Sequence, residues 1–409
     1  MKILLLHDVQ ADKQNGVSVS LGILLRELQK LNYEVKVLTL ADGTKSHRDG
    51  DSYCLSSIPA LIYPGIRMRI PAKSKYVDEI IDWNPDIIHT NCEFSTFMIA
   101  RHIHSKCKNT PAWIHTFHTD YKYYIGFFQK ISAVRDKLVP RFLNHCFKKC
   151  DALIVPTKKM YDYVSSEDFS KDINMRIIPT GIDFSELKSQ DPLAGAETRK
   201  QLGISDKQRL ILFLGRISAE KNLDELLEYY ASYIKTHDNV HLLTVGDGPY
   251  KDSLIKKVKK LGLEEKVTVG DGVKHTDIRR FYDASDVFAS ASMSETQGLT
   301  FYEALFCGVP VLAKDRKCLE EAITDGENGA FFDDSDSFAS ALDRIIDLKK
   351  NTGETAHKVL PECFQSEVFA KSVAKLYEDT LKLCKNKHKG DRSKLDRLLK
   401  HGKKLRIKK

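Results

Sequence analysis

No apolar run in this chain approaches the ~18–20 residues that a membrane-spanning helix requires, so a bundle of spanning helices is excluded. There is no C-x-x-C pair. The nine cysteines, at 54, 92, 107, 146, 150, 307, 318, 363 and 384, are odd in number and scattered. That pattern suits reduced thiols of a cytoplasmic protein and speaks against a zinc site or a disulfide framework. Cys146 and Cys150 share a predicted helix face, where packing is their expected role. No 20–50-residue repeat and no low-complexity segment precedes the C-terminal tail. The opening "MKILLLHDV" turns polar too soon for a signal peptide and reads as a first strand. The tail itself, residues 385–409, has no aromatic side chain to stack on a base, so no nucleic-acid partner is expected.

What is present fits a soluble globular protein with room for two full cores: 409 residues, 42% hydrophobic and 29% charged. The net charge of +8 is unevenly placed. Residues 385–409 hold twelve Lys/Arg and two Asp, whereas the preceding 384 residues hold fifty-two basic against fifty-four acidic groups. The basicity belongs to the tail.

Apolar, β-rich runs alternate with helical patterns from the start. "KILLL" (2–6) precedes a predicted helix from Val17 to Lys30, and "EVKVLTL" (34–40), "DIIHT" (86–90), "AWIHT" (112–116) and "ALIVP" (152–156) follow. After a Pro-, Gly- and Asp-rich stretch at 179–195, a second series runs through "RLILFLG" (209–215), "VHLLTVG" (240–246), "KVTVG" (266–270), "DVFAS" (286–290) and "VPVLA" (309–313). Such alternation predicts an α/β fold of two Rossmann-like, doubly wound domains in tandem. The expected divisions are 1–184, 185–364, a C-terminal helix at 365–384 that crosses back to the first domain, and the basic tail at 385–409. In such sheets ligands sit beyond the carboxyl ends of the strands, so two sheets facing one another would enclose a cleft.

The polar and glycine residues fall at those strand ends. In "SETQGLTFYEAL" (294–305), Gly298 sits where a strand hands over to a helix whose first N–H groups and dipole favour an anion. Glu295 and Glu303 flank it, and acids beside a phosphate make sense as acceptors for hydroxyls, as with a ribose in dinucleotide folds. "GRISAEKN" (215–222) puts Arg216 and Lys221 on a loop entering a helix, where together they would neutralise a diphosphate; Glu220 would orient either cation. "NGV" (15–17) allows close backbone approach to a ligand, and "GDGP" (246–249) reads as a strand-ending turn. His118, in "HTFHTDY", is placed to hydrogen-bond a sugar hydroxyl, with Asp120 to orient it and His115 nearer the core. "DDSD" (333–336) superficially suggests a metal site, but its position before "SFASALDRII" predicts a helix cap.

Together these segments resemble the GT-B glycosyltransferases of retaining family 4. The likeness runs from Ile3 to about Tyr377 and takes in "PDIIHT", "VPTKKMYD", "IIPTGID" and "ITDGENGAFF" besides the motifs above. The resemblance implies that Arg216 and Lys221 hold the donor diphosphate, that Glu295 meets the donor sugar and Glu303 the ribose, and that Gly298, Leu299 and Thr300 present backbone to phosphate or sugar. It places Val273 near the base, Gly16 near the diphosphate and His118 beside the donor sugar. One departure is Asn15-Gly16 where two glycines are usual. Within the family, "SETQGLTFYEAL", "PTKKMYD" and "HTNCEFS" look most like bacterial diacylglycerol glucosyltransferases, which implies a hexose, glucose, moving from a UDP-sugar to a membrane lipid, with neither metal nor cofactor. A capsular or other saccharide acceptor, a nucleotide-sugar epimerase and a catalytically silent membrane-binding protein are the alternatives.

Residues 127–149 set Phe127, Ile131, Val134, Leu138 and Phe142 on one helical face among basic residues, with Pro140 expected to kink or interrupt the helix. Such a basic amphipathic helix lies in a lipid headgroup layer; an ordinary domain helix is the other reading. With the tail it predicts a cytoplasmic enzyme attached peripherally to the anionic inner face of the cell membrane.

Overall fold

The computed structural model describes residues 1–8, 16–43, 45–59, 67–69, 73–124, 137–166, 173–185, 187–188, 191, 193–348 and 361–406, with the side chains of 124 and 387–406 left aside. Asn15 and residues 127–136 of the basic amphipathic segment therefore lie outside the described residues.

The first sheet is built from β1 (Lys2–Leu6), β2 (Glu34–Asp42), β3 (His47–Asp49), β4 (Ser52–Pro59), β5 (Arg67–Met68), β6 (Ile87–Thr90), β7 (Ala112–Thr116), β8 (Ala152–Val155) and β9 (Met175–Ile177). Its order is β3-β4-β2-β1-β6-β7-β8-β9, with β5 beside β4. The pairs are parallel except where β3 and β5 meet β4. The second sheet comprises β10 (Arg209–Leu214), β11 (Val240–Val245), β12 (Val267–Gly270), β13 (Val287–Ser290), β14 (Val311–Ala313) and β15 (Gly329–Phe331). Its order, β12-β11-β10-β13-β14-β15, is parallel throughout. Both are doubly wound, and in each the chain reverses direction beside its first strand, at β1/β6 and β10/β13. A doubly wound sheet opens its ligand crevice at that reversal.

Strands covered on both faces need apolar residues at consecutive positions rather than in alternation, and Ile3 to Leu6 are all 0% exposed. Each such side chain contributes roughly 1.5–3 kcal/mol by leaving water. The helix Gly16–Lys30 covers one face through Leu21, Leu24 and Leu28, spaced for one helical stripe. The "DDSD" segment caps a helix as expected: Asp334 accepts from the N–H of Ser337 in a capping box on Ser335–Ile345.

The chain crosses between the sheets twice, and the crossings touch. Ile178 packs in the first core and Ile182 in the second, while the Ile182 N–H donates to the Phe364 carbonyl at 2.8 Å. A side chain on Gly181 would put its Cβ 2.8 Å from Ser366 Cα, so the close approach requires glycine. The helix Ser366–Arg406 then lays Phe369, Val373 and Tyr377 on the first core. Tyr377 Oη meets His89 Nδ1 at 2.6 Å.

Part of the 127–149 segment is described. Pro140 stands in the first turn of the helix Val139–Phe147, where its missing N–H has no intrahelical role. Leu143, Cys146 and Phe147 are buried, whereas Leu138 is 55% and Phe142 40% exposed. Phe142 stacks on Phe94 at 5.7 Å between centroids. All nine cysteines are free thiols, and among the described residues no helix is long and apolar enough to cross a membrane.

Candidate active site

The crevice of the second sheet collects the predicted cations and acids. β10 ends at Leu214; the chain turns through Gly215 and a half-buried Arg216, then a 3₁₀ turn, Ala219–Lys221, leads into the helix Leu223–Tyr233. The Ile217 N–H donates to Asp247 O at 2.9 Å and the Tyr250 N–H to Ile217 O at 3.1 Å. The "GDGP" turn is thus bonded to the Arg216 loop and fixes its path. Lys221 Nζ donates to Glu295 Oε1 at 2.7 Å. Burial alone would raise the Glu295 carboxyl; the Lys221 ammonium more than offsets this and holds it below the ordinary range. Glu220 accepts from the Ser218 hydroxyl at 2.6 Å.

Gly298 initiates the helix Leu299–Phe306 at φ 76°, a left-handed backbone that glycine adopts without strain. A side chain there would also place a Cβ 3.0 Å from the Phe301 ring. The N–H groups of Leu299 and Thr300 open the helix and have no intrahelical acceptor. Across from them stands the first turn of Gly16–Lys30: the Cβ position of Gly16 lies 3.9 Å from Leu299 Cδ1. Gly16, Gly298, Leu299 and Thr300 are thereby brought together, at two facing helix N-termini.

Glu303, one helical turn further on, is buried, and its two oxygens are separately engaged. His275 Nε2 lies 3.1 Å from Oε1, and the Tyr282 hydroxyl donates to Oε2 at 2.9 Å and to the Thr300 carbonyl at 3.2 Å. Burial and the Glu303 charge push the Tyr282 phenol well up, so it remains a donor. Beside Glu303 the two halves enclose a space of about 160 Å³, bounded by Val19 and Ile23 on one side and by His275 and Leu299 on the other. Arg26 closes its rim with an ion pair to Asp183. Val273, in the loop leading to His275, packs half-buried on the second core.

His118 approaches from the first sheet. Its Nε2 lies 3.1 Å from Asn91 Oδ1, and the Asn91 amide donates to the Leu6 carbonyl at 3.3 Å. With the amide nitrogen committed to Leu6, Asn91 offers its oxygen, so His118 carries its proton on Nε2 and presents Nδ1 as an acceptor. Burial, with His7, His89 and His115 nearby, holds the imidazole well below its ordinary value; it is neutral at pH 7. Asp120 does not orient it. That carboxylate accepts from the Lys122 N–H and lies 3.4 Å from Lys159, so the orienting partner is Asn91. His115 is core, as expected, bonded to Glu93 and Thr90.

His275, Tyr282 and Asn91 carry no motif in the sequence. "KHTD" resembles many surface loops, and only the fold brings it to Glu303. Among the described residues no three His, Cys, Asp or Glu side chains converge as metal ligands.

Comparison with known proteins identifies the family and the fold. Residues 14–186 match the Glycosyltransferase Family 4 model and residues 195–361 the Glycosyl transferases group 1 model. The chain is 31% identical to the alpha-monoglucosyldiacylglycerol synthase of Streptococcus pneumoniae, over 93% of this chain and 86% of that one. It is 28% identical to the enzyme of the same name from Acholeplasma laidlawii, over 90% and 94%. Among solved structures, a sucrose-phosphate synthase from Thermosynechococcus elongatus superposes with a TM-score of 0.74 at 20% identity, covering 92% of this chain and 98% of that one. Anabaena Alr3699/HepE, in complex with UDP and glucose, superposes with a TM-score of 0.70 at 18% identity, covering 93% and 100%; both likenesses concern the fold.

Proposed function

The chain belongs to the group 1 glycosyltransferases of GT-B fold, and within that family we propose that it moves a hexosyl group, glucose, from a UDP-sugar to a membrane lipid hydroxyl, that of diacylglycerol, with retention. The observation that carries this reading is the placement of Glu295 and Glu303 on either side of one helix N-terminus, with Lys221 bonded to the first. A UDP-sugar has that sequence of groups: a ribose diol, a diphosphate and a polyhydroxylated ring. The lipid acceptor follows the two synthases that the chain resembles over nine-tenths of its length.

Glu303 accepts from the ribose hydroxyls beside the 160 Å³ space. The N–H groups of Leu299 and Thr300, with Arg216 and Lys221, receive the diphosphate. As the anomeric C–O bond breaks, negative charge grows on the departing phosphate, and these preorganised donors stabilise it. Two side-chain cations and a helix terminus need no divalent ion, so turnover persists in EDTA. Glu295 and the acceptor nitrogen of His118 hold sugar hydroxyls. The lipid hydroxyl attacks from the face the diphosphate leaves, its oxygen bonds the anomeric carbon, and its proton passes to the leaving phosphate. The first-sheet side faces the inner leaflet, where exposed Leu138 and Phe142 stand beside Arg141, and the basic tail adds attraction to anionic lipid.

The test is a screen of nucleotide sugars with diacylglycerol vesicles, the product identified by mass and by its anomeric coupling. The expected product is an α-hexosyl lipid from UDP-glucose. Transfer to soluble saccharides without lipid product overturns the acceptor; an interconverted nucleotide sugar formed without acceptor marks an epimerase.

A further inference from the structure

Two neighbouring lysines of "PTKKMYD" meet different fates on the helix Lys158–Ser166. Lys158 is exposed and pairs with Asp162 on its own helix. Lys159 is half-buried, with its side chain only 11% exposed, and its ammonium reaches out of the first half into the second. It donates to the carbonyls of Met293 at 2.9 Å and Glu295 at 2.8 Å and to Asp315 Oδ2 at 2.7 Å. An ammonium has three N–H donors, and all three are accounted for by groups of the second half. Asp120, from the first half, completes the cage at 3.4 Å. Burial works against the charge on Lys159, but Asp315 and Asp120 more than restore it, so the lysine stays protonated across the working pH range.

The carbonyls that Lys159 holds flank the Glu295 side chain, and the first half grips the same loop at the two following residues. Thr157 donates to the Thr296 carbonyl at 2.8 Å, Thr296 donates to the His118 carbonyl at 3.1 Å, and Gln297 exchanges bonds of 2.7 and 2.9 Å with the Thr180 backbone. Residues 293–297 belong to the second half in sequence and are tied to it through Ser294 and Lys221, yet four of them are also held by contacts from the first. On the opposite side, Glu303 is held by His275 and Tyr282, both of the second half. Both carboxylates are thus held by side chains of the second half, Glu295 by Lys221, but only the backbone that carries Glu295 is also gripped from the first half.

We propose that Lys159 is a positioning residue that aims Glu295 at the transferable sugar, so that recognition of the sugar depends on this one ammonium reaching across the halves, while recognition of the nucleotide at Glu303 does not. The proposal rests on the reading that Glu295 meets the donor sugar. A buried cation shared by two carboxylates does not tolerate loss of its charge, because the acids are then left facing one another. Lys159→Met is the direct variant. Asp315→Asn is the milder one: it keeps the size and the cap that Asp315 makes on the N–H of Cys318, and it removes one anionic acceptor from the ammonium.

The test combines amide hydrogen exchange across 293–297 in the unliganded protein, calorimetry with UDP and with UDP-glucose, and steady-state kinetics. Asp315→Asn is expected to speed exchange at 293–297 and to weaken UDP-glucose roughly tenfold, the scale of one charge-assisted hydrogen bond. UDP binding should hold within about twofold. Misplacement of Glu295 should lower kcat by on the order of 10²-fold in Lys159→Met, and the double variant should lose no more than Lys159→Met alone, since both act through one contact. Equal weakening of UDP and UDP-glucose, or unchanged exchange at 293–297 in folded variants, overturns the proposal. If the unaltered protein binds neither ligand, the functional reading fails instead, while faster exchange at 293–297 in Asp315→Asn still upholds the grip of Lys159 on the loop. Should Lys159→Met not fold, Asp315→Asn decides.

Discussion

The two halves of the molecule share one architecture and line one cleft, but they do so with different chemistry. At the rim of the second sheet the candidate site residues are charged: Arg216, Lys221, Glu295 and Glu303, with a Lys221–Glu295 bond of 2.7 Å. At the rim of the first sheet the carboxyls Asp8 and Asp120 are raised by burial, and the histidines near them are neutral through desolvation, His7 and His89 buried and His118 half-buried. Their partners are a thiol, hydroxyls and an amide, at Cys92, Ser18, Tyr377, Thr116 and Asn91. Under the proposed function the contrast has a cause in the two substrates. A diphosphate leaving group calls for preorganised positive charge. A neutral hydroxyl calls for neutral donors and acceptors, since an unpaired charge buried against it would carry a large desolvation cost. One sheet topology thus serves two electrostatic tasks through what is mounted at its strand ends.

The sharpest way to break this comparison is to remove charge from the second rim. Arg216→Ala and Lys221→Ala should each lower kcat on the order of 10²–10³-fold, by analogy with deletion of one oxyanion-hole donor, with thermal unfolding little changed. Steady-state kinetics at saturating donor checks this; near-normal turnover in either folded variant would contradict the assignment.

The first rim should reveal itself through acid rather than through turnover. In the folded chain His7 titrates at about 4 and His89 at about 3. The unfolded chain takes up those protons near pH 6.5. Stability from these groups is therefore complete above pH 6.5 and is lost progressively as pH falls, roughly 3 kcal/mol for His7 alone by pH 4. Asp8 opposes this: burial raises it to about 6, so its protonated form adds stability as pH falls from 6 towards 4. Denaturant titrations from pH 7.5 to 4.5 should show a net loss, shallower in His89→Gln and steeper in Asp8→Asn. A flat profile would remove the distinction between the two rims.

Much of this was legible in the residues. Strands buried on both faces announce themselves as unbroken apolar runs, and β1, β7 and β11 lie where "KILLL", "AWIHT" and "VHLLTV" predict them. β4 escaped because its buried positions, Tyr53, Leu55 and Ser57, alternate with serine and cysteine, and three-residue strands such as β9 and β15 are too short for any period to register. At the site, Lys221 and Glu295 are 74 residues apart in sequence, and the motifs singled out both residues without anticipating that they bond to each other. Asn91 was invisible because local sequence offered Asp120 as the nearer partner for His118, and long-range pairing with Lys159 took Asp120 away. His275 lies 28 residues from Glu303, in a loop whose composition says only turn.

The smallest effect should come from the tail, whose proposed role is in location. Residues 385–409 carry twelve basic and two acidic groups, and their attraction to an anionic surface is screened over about 8 Å at physiological ionic strength. Co-sedimentation with anionic vesicles should fall with salt, and a chain ending at Cys384 should bind several-fold more weakly with its affinity for the nucleotide donor intact. Salt-insensitive, equal binding by both would remove the tail as a membrane element.

The proposed division of the donor, in which Glu303 faces the ribose and Glu295 the sugar, admits one direct measurement: calorimetric titration of Glu295→Gln and Glu303→Gln with UDP and with UDP-glucose. Glu303→Gln removes the anionic acceptor facing the ribose, which both ligands possess, and should weaken both by a similar factor. Glu295→Gln removes the acceptor facing the sugar and should weaken UDP-glucose while leaving UDP near the parent value. If each variant weakens both ligands alike, the two acids do not divide the donor between sugar and ribose, and this account of the site is wrong.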